Sequence, residues 1–163
     1  MTEGGVDTRA ATVTDVADIA AVEAAAFEHP WTADALRAML QDGLTHAFIA
    51  THDDAVVGAA VVRVVAGEGE LLRIAVVPQA RRRGVARVLL RDVIDAVGGA
   101  CPDGLHLEVR ASNAAARALY ETAGFVESGR RHGYYQHPAE DAVLMRWTRG
   151  LTGVDREGVA TME

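Results

Sequence analysis

The chain has 163 residues, half of them hydrophobic, and a formal net charge of −7, which is enough for one domain with a full core and too little for two comfortable ones. No apolar run approaches the roughly 20 residues of a membrane span, residues 1–7 have neither the basic start nor the apolar core of a signal peptide, and the acidic balance argues against general nucleic-acid binding while suiting a cationic small molecule or a basic polypeptide. Cys101 is the single cysteine, so an intramolecular disulfide is impossible and a reducing, cytoplasmic compartment is expected.

Residues 8–13 read as a first strand. Thr14 and Asp15 cap a helical pattern with Val16, Ile19, Ala20 and Val22 on one side, ending near Phe27. Glu28-His29-Pro30-Trp31 is a turn, and Thr32 starts a short second helix carrying Leu36, Met39 and Leu40 and ending about Gly43. Phe27, Pro30 and Trp31 are large groups in a loop between two helices. They either plug the core or form a lip that binds an acceptor, and Glu23, Glu28 and Asp34 either attract a cation to that lip or are ordinary surface. Residues 46–51 and 55–65 read as an antiparallel pair joined at Asp53-Asp54, with 66–69 turning into the next strand.

From Leu71 an apolar run rich in β-branched residues is stopped by Pro78, and from Val85 the apolar positions take helical spacing at Val85, Val88, Leu89 and Val93. The pattern is strand, tight turn, helix. Arg81, Arg82 and Arg83 stand at the helix start, where each exposed cation opposes the helix dipole at a cost of roughly 0.3–1 kcal/mol. Gly84 and Ala86 let backbone approach a ligand closely, and the first-turn N–H groups lack helical partners. The turn therefore reads as an anion cradle for a pyrophosphate, against the alternative of a solvated basic turn. The nucleotide pattern GxxxxGK[ST] requires a lysine, and the chain contains none; GxGxxG is also absent.

Residues 98–104 are a helix exit and loop. In the strand Leu105–Arg110, alternation sends Leu105, Leu107 and Val109 into the core and leaves His106, Glu108 and Arg110 on the other side, as a cleft wall requires. Ala111-Ser112-Asn113 opens a helix that runs through Tyr120 to Gly124. Asn113 and Tyr120 are seven residues apart, so they share one stripe about 10 Å long that could touch both ends of an elongated ligand; the alternative is Asn113 as a simple cap and Tyr120 as core. Residues 126–131 and 139–147 read as closing strands around Tyr134 to Pro138. Residues 149–163 fade into Gly, Thr and charge and are expected to be a flexible tail, leaving 1–148 as a single domain. The six histidines form no metal pattern, His132 and His137 being the nearest thing to one, and no metal is assigned.

Arg81-Arg82-Arg83-Gly84-Val85-Ala86 resembles the [Q/R]-x-x-G-x-[G/A] signature of the GCN5-related N-acetyltransferases (GNAT), with Ala86 in place of the last glycine of the strict pattern. The run Leu107 to Ala116, then Leu119-Tyr120-Glu121, Gly124-Phe125, Arg130 to Tyr135, Glu140 to Ala142 and the Pro30-Trp31 loop resemble the RimI-type ribosomal-protein alanine N-acetyltransferases over roughly residues 8–148. The resemblance implies an α/β GNAT fold: a mixed sheet of about seven strands, splayed at its middle and flanked by about four helices. It implies that acetyl-CoA lies between the parted strands, with backbone groups of Ile74, Ala75 and Val76 on the pantetheine. Arg81, Arg82, Arg83, Gly84, Val85, Ala86 and Arg87 would hold the pyrophosphate, and Asn113 the cofactor arm.

By the same match Glu108 is the general base and Tyr120 the general acid, with Phe27, Pro30, Trp31, Tyr134 and Tyr135 around the acceptor. The implied acceptor is the N-terminal alanine of a small-subunit ribosomal protein, with no nucleic acid or membrane as a direct partner. A lysine side chain or a small-molecule amine, or a non-catalytic acyl-CoA-binding module, are the alternatives. An α-amine of pKa about 7.7–8.0 is roughly a tenth to a fifth neutral at pH 7, whereas a lysine at about 10.4 is neutral in under one part in a thousand. One carboxylate is adequate for the first and stretched by the second. Cys101 sits in a Gly-rich loop with no histidine paired to it by spacing, so direct transfer in a ternary complex is expected rather than a covalent acyl-enzyme.

Overall fold

Alternation along the strands sorts the apolar residues onto two sheet faces, and each face collects its own pair of helices. The computed structural model describes residues 5–150. It contains strands β1 (Val6–Ala10), β2 (Thr45–His52), β3 (Ala55–Val65), β4 (Glu68–Val76), β5 (Leu105–Arg110), β6 (Val126–Tyr135) and β7 (Glu140–Trp147), with helices α1 (Val16–Ala26), α2 (Ala33–Leu40), α3 (Val85–Val97) and α4 (Ala114–Thr122). The strands form one sheet in the order β1-β2-β3-β4-β5-β7-β6. In β2 and β3, Ala47, Ile49, Ala59 and Val61 pack with Val16, Ile19 and Leu36 of α1 and α2. Their alternates Phe48, Ala50, Ala60 and Val62 pack with Val85, Leu89 and Val93 of α3 and with Tyr120 of α4. Helix α3 lies so close to β3 that a Cβ on Gly58 would come within 2.9 Å of Val85 Cγ1 and 3.2 Å of the Ala75 carbonyl oxygen. Gly58 thereby seats the first turn of α3 against the end of β4.

One joint in the sheet differs from the rest. β4 and β5 are its parallel pair, and their pairing covers only Gly69 with Leu105 and Glu70 with His106. Beyond that point β4 pairs with β3 alone and β5 with β7 alone. At the parting, Val62 opposes Leu71 and Val61 opposes Arg73, so Leu72 is an extra residue in β4. A bulge of this kind bends its strand and increases the local twist. It turns the second half of β4 away from β5 and leaves two strand edges facing each other across a gap.

Most element boundaries match the sequence reading, and the departures have local causes. The first strand is Val6–Ala10 instead of 8–13, because Val13–Asp15 form a 3₁₀ turn in which Asp15 accepts from the Thr12 N–H (2.9 Å). Asp15 therefore closes that turn and is not a side-chain cap of α1. Thr32 does cap α2, accepting from Ala35 N–H at 3.1 Å. The Asp53-Asp54 turn has positive φ at both residues (49° and 63°), the twist a tight hairpin requires. β4 starts at Glu68, three residues before the apolar run. β6 continues through Tyr134 and Tyr135, past the end expected at Arg131, because after an irregularity between Arg131 and Tyr135 its pairing resumes at Tyr135 with Glu140. Of the expected tail 149–163, residues 151–163 lie outside the described residues. No described helix is long and apolar enough to cross a membrane.

Asp15 also ties β1 to α1. It accepts from Arg9 at 2.7 and 2.9 Å, and those bonds, helped by the Thr12 N–H, pull its carboxyl from 3.8 to about 2. A lowered folded pKa adds stability that is fully present above the unfolded value and is lost as pH falls through the folded one. Screening on the half-exposed Arg9 side reduces this to about 1–2 kcal/mol. Urea unfolding of Asp15→Asn against the parent chain is expected to show a deficit of that size at pH 7, closing between about pH 4 and pH 2.

Candidate active site

The gap between β4 and β5 opens into a cleft of about 1290 Å³. One wall is the second half of β4 (Leu72 to Val76), whose inner edge has no strand partner on the β5 side. The opposite wall is the end of β5 (Glu108 to Arg110) with Asn113, Ala116, Leu119 and Tyr120 of α4. The floor is the turn into α3, through Arg81, Arg82, Gly84, Val85, Ala86 and Arg87. A free strand edge offers alternating N–H and C=O groups to an extended ligand. Where α3 begins, Gly84 stands in the left-handed region (φ 77°), which suits glycine and turns the first-turn N–H groups of the helix toward the cleft floor.

The arginines of this turn do not act alike. Arg81 donates from Nε to the Val76 carbonyl at 3.2 Å, which ties the turn to the end of β4. Arg82 has φ 63°, a left-handed conformation that is unusual for a residue with a side chain, and together with Arg87 it lines the floor. Arg83 is exposed and is not part of the lining. Asn113 uses its side-chain carbonyl to cap α4, accepting from Ala116 N–H at 3.1 Å, which fixes the side chain and leaves its amide nitrogen free of that cap. The stripe through Asn113 and Tyr120 does lie along one wall.

Tyr120 is 8% exposed and packs against Phe125 with ring centroids 5.8 Å apart. Burial pushes its hydroxyl up to about 12, with Tyr135 adding to the shift, so the phenol holds its proton throughout the neutral range. Glu108 has a different environment. Arg131 Nε lies 3.4 Å from its Oε1, and its bond to the Tyr134 hydroxyl raises the ordinary value of that phenol. Glu108 also walls a second hollow of about 550 Å³ on the other side of the parting, together with Glu68, Glu70, His106, Ser128 and Arg131. Among the described residues no group of three or more His, Cys, Asp or Glu side chains is placed to hold a metal. Cys101 is fully buried, outside both hollows, with its thiol pushed up by burial.

The aromatic loop between α1 and α2 is built differently from either reading of the sequence. Arg73 of β4 reaches up between its rings, with its guanidinium carbon 4.6 Å from the Phe27 centroid and 4.2 Å from that of Trp31. Its Nη1 donates to Glu23 Oε2 at 2.6 Å, and Nη2 reaches the His29 carbonyl at 3.4 Å. Glu23 is 2% exposed, and burial pushes its carboxyl up against the pull of Arg73. It is therefore a structural counter-ion and not a surface charge that draws in an acceptor. Phe27 lines the cleft, whereas Pro30 and Trp31 do not. Tyr135 lines it and carries Arg110 over its ring at 4.3 Å, while Tyr134 is 48% exposed. The sequence carries no signal for the placement of Arg73 and Arg131: an arginine inside an apolar strand run, five residues past the strand's acidic start, and the second of an Arg-Arg pair match no motif of their own.

A model of the acetyltransferase (GNAT) domain family matches residues 15–134. A relative from Salmonella typhimurium, named [ribosomal protein bS18]-alanine N-acetyltransferase, is 46% identical over 97 residues, which is 58% of this chain and just under two thirds (66%) of that protein. The crystal structure of the ribosomal-protein-S18-alanine N-acetyltransferase from Escherichia coli superposes with a TM-score of 0.79 at 34% identity, over 87% of this chain and 92% of that one. The Arabidopsis thaliana NAA60 structure in complex with acetyl-CoA shares the fold, with a TM-score of 0.75 at 20% identity, over 87% and 97% of the two chains.

Removing the arginine from the Glu23–Arg73 pair leaves a buried carboxylate without its partner. Arg73→Met is expected to lower unfolding stability by about 3–5 kcal/mol, and Glu23→Gln added to it to restore part of the loss. Urea titrations of the single and double variants check both.

Proposed function

Because the chain belongs to the GNAT acetyltransferase family, we propose that it is an Nα-acetyltransferase that moves an acetyl group from acetyl-CoA to the N-terminal amine of a protein, with a bS18-type ribosomal protein beginning in alanine as acceptor. The observation that carries this reading is that, among the described residues, Glu108 is the one carboxylate walling both hollows. A donor entering along β4 and an amine entering from the far side would meet at it.

The residues fit acetyl-CoA. Its extended pantetheine matches the unpartnered edge from Leu72 to Val76. Its pyrophosphate matches the α3 N-terminus with Arg82 and Arg87 beside it. When bound, acetyl-CoA supplies a thioester whose acetyl group passes to an attacking amine while the CoA thiol departs. The chain provides the proton handling. Glu108 accepts the proton that the amine nitrogen gives up as its bond to the acetyl carbon forms. Tyr120, held neutral by burial, donates its proton to the departing sulfur and recovers one from solvent. Arg110, which donates toward the Gln136 and Pro138 carbonyls and to Glu140, holds the β6–β7 loop and with it Tyr135 on the acceptor side. Phe27 forms the other lip, set in place by Arg73. Arg83, outside the lining, contributes to the pyrophosphate site through its position in the turn.

Glu108→Gln and Tyr120→Phe are each expected to lower kcat on an Ala-starting peptide by about 10²–10⁴-fold, with acetyl-CoA affinity within a few-fold of the parent by calorimetry. Peptide mass spectrometry locates the acetyl group. If both variants acetylate at the parental rate, or the parent modifies only N-blocked peptides, the proposal is wrong.

A further inference from the structure

The carboxylate at the meeting point of the two hollows is not bare. Arg131 lies 3.4 Å from it, and a specific piece of backbone brings it there. Ala142 of β7 is paired with Arg110 on one side and Arg131 on the other, so Arg110, Ala142 and Arg131 share a face with Glu108, two residues from Arg110 along β5. Ala142 is small and fully buried, which leaves room for the Arg131 side chain to cross β7 diagonally to Glu108. β6 loses its regular pairing after Arg131, and Gly133 (φ 61°) donates its N–H to Asp141 at 2.9 Å. The irregular segment places Tyr134 beside Glu108, with the Arg131 guanidinium 5.4 Å from the centroid of its ring. Glu70 of β4 also acts on the Tyr134 hydroxyl, Glu108 acts on Tyr135 as well, and Arg63, Glu68 and His106 line the same hollow, so the groups around Glu108 are two phenols, the guanidiniums of Arg131, Arg110 and Arg63, the His106 ring and the carboxylates of Glu68 and Glu70.

We infer that Arg131 is a specificity-determining residue: by balancing the charge of Glu108 it admits the neutral amine of a protein N-terminus and turns away the ammonium of a lysine side chain. This rests on the reading of Glu108 as the base that receives the amine's proton. A bare carboxylate attracts any ammonium within reach, charged lysine included. A carboxylate already facing a guanidinium attracts an incoming cation less than a bare one does and puts a like charge in its path. Only the neutral fraction then enters freely, and that fraction differs between an α-amine and a lysine by about 2.5 pH units. Discrimination between α- and ε-amines follows from charge alone, without a pocket shaped to exclude the longer side chain.

The test compares kcat/KM of the full chain on two peptides, one with a free Ala N-terminus and no lysine, the other N-blocked with one internal lysine. Replacing Arg131 by Lys, Gln and Glu changes the charge in steps. The α/ε ratio is expected to stay within about threefold of the parent in Arg131→Lys, to fall about tenfold in Arg131→Gln and to fall further in Arg131→Glu. In the parent chain the ratio should shrink as ionic strength rises from about 0.01 M to about 1 M, where the Debye length drops from about 30 Å to about 3 Å. The salt series needs no variant, so it decides the matter even where a variant misfolds. A ratio that ignores both charge and salt while acetylation persists overturns the inference and leaves the proposed function standing. A parent chain inactive on both peptides overturns the proposed function, and the inference with it.

Discussion

The cleft of this molecule follows from two parallel strands that pair for two residues and then separate. β4 and β5 are joined at Gly69/Leu105 and Glu70/His106, and the extra residue Leu72 bends β4 away from that point. A sheet that stayed zipped would satisfy its backbone internally and have nothing to offer an extended ligand. The parting leaves two unpaired edges, normally a liability in a β-protein, and protects them by placing helix termini and side chains around the opening. α3 closes one end with its N-terminus, α4 supplies one wall through Asn113 and Tyr120, and the loop after α1 supplies the lip.

Arginine is the only long cation in the chain, and the fold uses its planar, always-charged head in five distinct ways. At the α3 turn Arg82 and Arg87 present charge to the cleft floor. Arg81 is a strut, bonded to the Val76 carbonyl. Arg73 is a bolt through the lip, stacked between two rings and neutralised by a buried carboxylate. Arg110 fastens the β6–β7 loop, and Arg131 faces Glu108. A lysine could supply charge at any of these places. It could not stack between Phe27 and Trp31 while bonding Glu23.

The two residues assigned to proton transfer sit in contrasting surroundings. Tyr120 is in the apolar core of the α3/α4 face, where burial keeps it protonated. Glu108 is on the opposite face of the sheet, where the cluster under α1 and α2 includes no residue of β5, β6 or β7 among the described residues, and it is open to both hollows. The fold thus places a buried phenol on one side of the parting and an open carboxylate where the two hollows meet, and the strand alternation of β5 with the helical stripe of α4 is sufficient to do so.

Local physics made much of this legible in the sequence. Period-two alternation located β5 and put Glu108 on its polar side, period 3.6 located α3 and α4, and the arginine-glycine turn marked where α3 begins at the cleft floor, because those signals involve residues close together along the chain. The extra residue at Leu72, the ring stack on Arg73, the buried partner role of Glu23 and the approach of Arg131 to Glu108 are contacts between residues roughly 20 to 50 positions apart, or register shifts between strands. No periodicity encodes them: which arginine reaches which carboxylate is decided only when strand order, register and twist are set together.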